Sequence, residues 1–220
     1  MYGDDDKVME GEEHMRESES EATKPQLIST VGLVGDLTEE SANEILSSFL
    51  LLRDIQTTEY LDAVMSLTEE EATEELLQEL KPNIDFYIST NGGNADEMFG
   101  LYDIMRMIKG EGVSSISTCG IGKVMSAGVL LLAAGTKGKR RIGKHCRVMI
   151  HSVIGGSTGS MHQILNEVDE IKKIQDIYIK ALVAETRLTE RDLRKLLKKK
   201  LNIYLSAVEA VEVGIADEVF

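Results

Sequence analysis

The stretch GIGKVMSAGVLLLAAG, Gly120 to Gly135, decides how the chain is read. It is almost unbroken apolar sequence with a single hydroxyl, Ser126, set between Met125 and Ala127. Upstream, Val113 to Cys119 alternates and is rich in β-branched residues, which predicts a strand. The quoted stretch then follows as a glycine-rich turn and a buried helix. A strand feeding a helix in this way places Ser126 close to the unpaired N–H groups of the helix start. Two readings of Ser126 stand open. It is a small residue that lets a buried helix pack closely, or it is a nucleophile mounted at that helix's N-terminal end. The hydrolase elbow G-x-S-x-G does not apply, because Val124 holds the first glycine position.

Working outward, the pattern alternates strands and helices. Upstream, LISTVGLVG (Leu27 to Gly35) reads as a strand. Thr38 then caps a helix through Ser41 to Leu52, and the acidic stretch Thr57 to Leu80 is helical. IDFYIST, Ile84 to Thr90, is a short strand that Asn91-Gly92-Gly93-Asn94 breaks, and a helix follows from Ala95 to Lys109. Downstream, Arg147 to Ser152 is strand-like and Gly155 to Gly159 is a flexible segment. A long helix runs from about Met161 to Ala184, with Ile164, Leu165, Val168, Ile171, Ile174, Ile177 and Tyr178 as its apolar stripe. Thr189 to Asp192 starts a further helix, and Ser206 caps the last. The alternation gives an α/β fold class.

Composition narrows the function. The chain has 220 residues, 42% of them apolar, and a net charge of −14. That charge argues against nucleic acid or an anionic membrane as the partner. The longest apolar run, Val124 to Gly135, is too short to cross a bilayer. Only two cysteines occur, Cys119 and Cys146, without metal-ligand spacing or a secretory signal. The expectation is a cytoplasmic protein with no metal and no cofactor. Residues 1–24 are acidic and poor in large apolar side chains, which predicts a disordered tail ahead of one domain spanning 25–220.

Three further features carry chemistry. His151 closes the apolar strand Val148-Met149-Ile150, as a satisfied histidine at a sheet end or as a general base. Gly92-Gly93 makes a tight turn or offers bare backbone to a substrate. Gly138 to His145 nearly matches a phosphate-binding loop, but His145 stands where the magnesium-binding hydroxyl belongs. The basic cluster Lys137 to Lys144 therefore reads as a solvated loop, and Cys146 as a small core residue.

Together these features resemble the ClpP peptidase family, serine peptidases that enclose their active sites in oligomeric chambers and work with AAA+ unfoldases. The residues that carry the resemblance are Tyr87 to Gly93, Gly122 to Gly128 with Leu131 to Gly135, and Lys137 to Arg140 with Arg147 to His151. Ser126 and His151 stand 25 positions apart, as in that family. Leu205-Ser206-Ala207 with Gly214 is similar to its C-terminal signature. The resemblance implies a ClpP/crotonase-like fold of repeated β-β-α units with a handle helix.

It further implies that Ser126 attacks a peptide carbonyl and His151 takes its proton. Gly92 and Ala127 would donate to the oxyanion, while Gly93, Ile154 and Gly155 bind extended polypeptide. It implies a homo-oligomer of heptameric rings stacked as a tetradecamer, an AAA+ unfoldase partner, and mixed rings with another ClpP as an option.

Departures are also visible. Asn202 occupies the place of the third catalytic residue, an Asp in that family. In serine proteases such an exchange lowers kcat roughly ten-thousandfold through the wrong tautomer. An acidic insertion occupies about 54–81, and Ser152-Val153 replaces the usual Gln-Pro after the histidine. Alternatives to an active peptidase are a catalytically weakened or structural ring subunit, a capsid-maturation-type peptidase, and a crotonase-like thioester-binding protein.

Overall fold

The computed structural model describes residues 29–198 and 202–220. The expected tail 1–24 lies outside the described residues, as does the start of the first expected strand. Three parallel strands, starting from one edge, make up the longest part of a seven-stranded sheet: β1 (Thr30–Leu37) at the edge, β2 (Asn83–Gly93) and β3 (Ser115–Met125). Helix α1 (Glu39–Met65) connects β1 towards β2, through the short α2 (Glu74–Glu79), and α3 (Ala95–Glu111) connects β2 to β3. After β3 come α4 (Ala127–Ala133), β4 (Arg140–Ile142) and β5 (Arg147–Ile150). The long α5 (Met161–Glu185), α6 (Glu190–Lys198), β6 (Ile203–Leu205), α7 (Ala207–Glu212) and β7 (Glu218–Val219) complete the chain.

Helix α1 buries Ala42, Ile45, Phe49, Leu52 and Gln56, a three-and-four spacing that keeps one face on the sheet. Phe49 meets Phe86 of β2 edge to face, with ring centroids 5.2 Å apart. Gln56 is the last buried position, and its amide is satisfied by Asn83 O and Ser114 Oγ. Thr38 caps α1 in a reciprocal capping box with Ser41. Helix α1 continues thirteen residues beyond the expected end at Leu52, because Thr57 to Met65 carries no breaker. Apolar residues in that stretch do not join the core: Met65 is 83% exposed and Leu61 49%.

Strand β3 forks the sheet. Thr118 to Gly120 pair with β4, and Lys123 to Met125 pair with β5. Between them Gly122, at φ +65°, allows the change of direction. The β1–β2 register shifts between Val34 and Asp36, and the β2–β3 register between Ile88 and Thr90. All three long strands therefore bend before their carboxyl ends. This corrects two expectations. Gly120 to Met125 is strand rather than the start of the helix, because Gly120 pairs with β4 and Lys123 to Met125 pair with β5. Asn91 to Gly93 likewise extends β2, by pairing with the end of β1.

Helix α4 is buried along its whole length, as its composition demands. The basic run also needs correction, since Arg140 is only 4% exposed. It starts β4, donates to both carboxylate oxygens of Asp217, and donates to Ala133 O and Glu185 O. Cys146 is buried as expected, and burial pushes its thiol up to about 11. Only the C-terminal third of α5 packs into the core. Of its expected apolar stripe Tyr178 alone is buried, while Ile164, Leu165, Val168 and Ile177 stand exposed.

Candidate active site

Ser126 follows the last residue of β3, and His151 follows the last residue of β5. These strands are parallel neighbours with Met125 opposite Met149, so the two residues emerge side by side at the carboxyl edge of the sheet. Ligand sites of open α/β sheets lie at that edge. Both side chains line one cavity of about 410 Å³, with Gly93, Ala127, Ile154, Ile171, Ile174 and Tyr178 among its walls.

Ser126 is the only non-glycine residue with positive φ among the described residues, at φ 53° and ψ −117°. An L-residue in that region carries backbone strain, of about 1–3 kcal/mol. The surroundings hold it there. Its N–H donates to Met149 O at 2.8 Å, and its carbonyl accepts from the Tyr178 hydroxyl at 3.2 Å and from the Val129 N–H at 3.0 Å. Burial pushes the Tyr178 phenol well above its ordinary value, so it remains a donor. Ser126 Oγ takes no part in capping α4. The hydroxyl is half-buried, at the mouth of the cavity.

The glycine turn lies directly against this serine. A side chain at Gly92 would place its Cβ 2.5 Å from Ser126 Cβ and 3.1 Å from Ala127 N, so only glycine, at φ +99°, fits. The Gly92 N–H, expected as an oxyanion donor, is instead committed to Thr90 Oγ1 at 2.9 Å and is buried. Gly93 lines the cavity. The next residue, Asn94, sends its N–H to Leu37 O of β1 at 3.1 Å, and successive N–H groups on a strand alternate sides. The Gly93 N–H therefore points away from β1. The Ala127 N–H, the first of α4, has no acceptor among the described residues. Gly128 is small for another reason: a Cβ there would meet Thr90 Cγ2 at 2.4 Å.

His151 is half-buried, and its Nδ1 lies 2.6 Å from Ser152 O. A carbonyl only accepts, so Nδ1 carries the proton, and in the neutral ring the lone pair is then on Nε2. Asn202 stands one residue before β6. The β5–β6 ladder pairs Ile150 with Ile203, and its next step sets Asn202 opposite His151. Asn202 is nevertheless exposed, and its side chain makes no hydrogen bond to a described residue. The expected partner of the imidazole is thus near in register but not bonded to it.

Ile154 is 84% exposed at the cavity rim. A Cβ on Gly155 would overlap Ile171 Cδ1 at 2.6 Å, so this glycine lets the segment cross α5 closely. Sequence alone gives neither Tyr178 nor Gln175 a role at this site. Tyr178 reads as one more apolar-stripe residue and Gln175 as a polar one, and only the fold shows what their polar ends meet.

A family model described as Clp protease matches residues 38–220. The chain is 37% identical over 139 residues to the ATP-dependent Clp protease proteolytic subunit 1 of Prochlorococcus marinus subsp. pastoris, covering 61% of this chain and 66% of that protein. It is 36% identical over 138 residues to the same-named subunit of Prochlorococcus marinus (strain NATL2A), covering 63% and 67%. The chain thus spans about two thirds of the length of these relatives.

Proposed function

Since the chain belongs to the Clp protease family, we propose that it is a serine endopeptidase subunit of an oligomeric, self-enclosing protease acting on unfolded polypeptides. The observation that carries this reading is Ser126 itself. It is a strained serine on a strand-to-helix turn, opening into the cavity that His151 also lines.

In this reading Ser126 Oγ attacks the scissile carbonyl and His151 Nε2 takes its proton. The N–H groups of Ala127 and Gly93 face the developing oxyanion, with Gly93 replacing the committed Gly92. His151 then returns the proton to the leaving amine, and water attacks the acyl-serine by the same route. Gly93, Ile154 and Gly155 supply backbone to a substrate lying extended along the cavity. Assembly into stacked heptameric rings, docking of an AAA+ unfoldase and a cytoplasmic setting belong to the same proposal. The acidic residues 54–81, which form the end of α1 and all of α2, are proposed as an insertion.

A fluorophosphonate probe should label Ser126, and Ser126→Ala should abolish the label. An assembled wild-type protein that stays unlabelled would refute the reading. A second reading, a ring subunit with a weakened centre, draws support from Asn202, which supplies no charge and holds no bond to His151. If Asn202→Asp alone confers peptidase activity, the weakened-centre reading stands; robust wild-type turnover removes it.

A further inference from the structure

The buried amide of Gln175, in the middle of α5, is half-satisfied. Its Oε1 accepts the Val153 N–H at 2.7 Å, while its Nε2 is buried without a hydrogen-bond partner among the described residues. A buried donor left unpaired costs free energy. Turning the amide over would set its NH₂ against the Val153 N–H, donor against donor, so the Val153 N–H dictates its orientation.

That N–H belongs to the same planar trans peptide as Ser152 C=O, so the two groups point in opposite directions and fixing one fixes the other. Ser152 O is the atom that accepts the His151 Nδ1 proton. Ser152 Oγ also donates to Leu197 O at 2.9 Å, which ties the segment to α6. A chain of bonds thus runs from α5 through one peptide unit to the imidazole. Hydrogen bonds in series polarise one another, so the Gln175 acceptor strengthens Ser152 O as the acceptor for His151.

We infer that Gln175 is a positioning residue which, through the Ser152–Val153 peptide, aims the carbonyl that orients His151, in the role a carboxylate side chain fills in a Ser-His-Asp triad. The inference rests on the serine-peptidase reading of Ser126 and His151. It requires a residue with an N–H at 153. Proline, usual after the histidine in the family this chain resembles, has none. It also explains how Asn202 can stand exposed while the histidine tautomer is still fixed.

The test is steady-state peptide hydrolysis and fluorophosphonate labelling of the full-length assembled protein and its variants. Gln175→Leu should lower kcat ~30-fold, part of what general-base catalysis contributes, with KM little changed. Its melting temperature should stay close to wild type, because one buried orphan, Nε2, is exchanged for another, the Val153 N–H. Gln175→Glu keeps an acceptor and should recover most of kcat. Val153→Pro removes the donor of the same bond and should match Gln175→Leu in kcat, with no further loss in the double variant. If Gln175→Leu does not fold, Val153→Pro with Gln175 intact decides alone. Wild-type kcat in the variant that decides, or multiplying losses in the double variant, overturns the inference. An unlabelled wild type overturns the peptidase reading and the inference together, whereas equal labelling of wild type and Gln175→Leu overturns only the inference.

Discussion

The two sides of the cleft are built differently. On the serine side, α4 is wholly buried, Gly92 lies against Ser126, and both backbone polar groups of Ser126 are bonded to other elements. On the histidine side, no helix or strand covers His151 to Ser160, and everything from Ile154 to Ser160 is exposed. That segment is held near the site by polar bonds to Gln175 and Leu197 and by the close crossing of Gly155 over Ile171. The geometry of Ser126 is therefore a property of the core, and that of His151 is a property of a few hydrogen bonds. In the proposed mechanism, competence is decided on the weaker side.

The sharpest way to break this contrast is Ser126→Gly. Glycine adopts positive φ without strain, so stability should rise by about 1 kcal/mol while labelling vanishes. Chemical denaturation checks the first and probe labelling the second. A drop in stability would mean that the serine is not held against its own preference. Gly92→Ala attacks the same side by overlap, since its Cβ would lie 2.5 Å from that of Ser126. Displacing the nucleophile by a fraction of an ångström should cost about 100-fold in kcat/KM, measured on a fluorogenic peptide.

Arg140→Met tests the foundation beneath both sides. Removing the guanidinium strands the Asp217 carboxylate and two carbonyls, so unfolding free energy should fall by about 3–5 kcal/mol, with kcat per folded subunit preserved. Acid should act on the same pair. Burial alone would raise the Asp217 carboxyl, but hydrogen bonds from Arg140 and Gly138 and the Arg140 charge outweigh it and hold it below the ordinary carboxylate value. A lowered carboxyl stabilises the fold above its unfolded value and loses that contribution as pH falls through the folded one. The wild-type advantage over Arg140→Met should therefore shrink below about pH 4 in denaturant titrations. Tyr178→Phe is the smallest change. It removes one hydrogen bond to Ser126 O, worth about 1 kcal/mol, and should slow labelling only a few-fold.

The contrast also explains what could be read from the sequence. Ser126, the glycine turn, and the caps at Thr38 and Ser206 are local signals: a residue type in a short pattern with a nearby consequence. His151 was legible because it closes an apolar strand. What escaped is long-range. The extension of β3 to Met125 depends on β5 arriving beside it, and the burial of Arg140 depends on Asp217, 77 residues later. Which glycine N–H is free depends on Thr90 folding back on Gly92. Gln175 and Tyr178 look like ordinary helix positions until α5 is laid across the cavity. Asn202 falls one step beyond the β5–β6 ladder from His151, but a position in the sequence says nothing about a rotamer.

At the other end of the sheet, Glu185 is 4% exposed and gathers Arg106 and Lys137 as salt-bridge partners from two separate parts of the chain. Burial alone would raise its carboxyl, but Lys137, Lys109 and Arg106 outweigh that and keep it ionised. The dehydration penalty of such charged clusters falls as temperature rises, while the gain from apolar burial levels off. Heating should therefore spare this end of the molecule longest and loosen the His151 segment first. Peptidase activity should fade several degrees before the fold melts, reversibly on cooling.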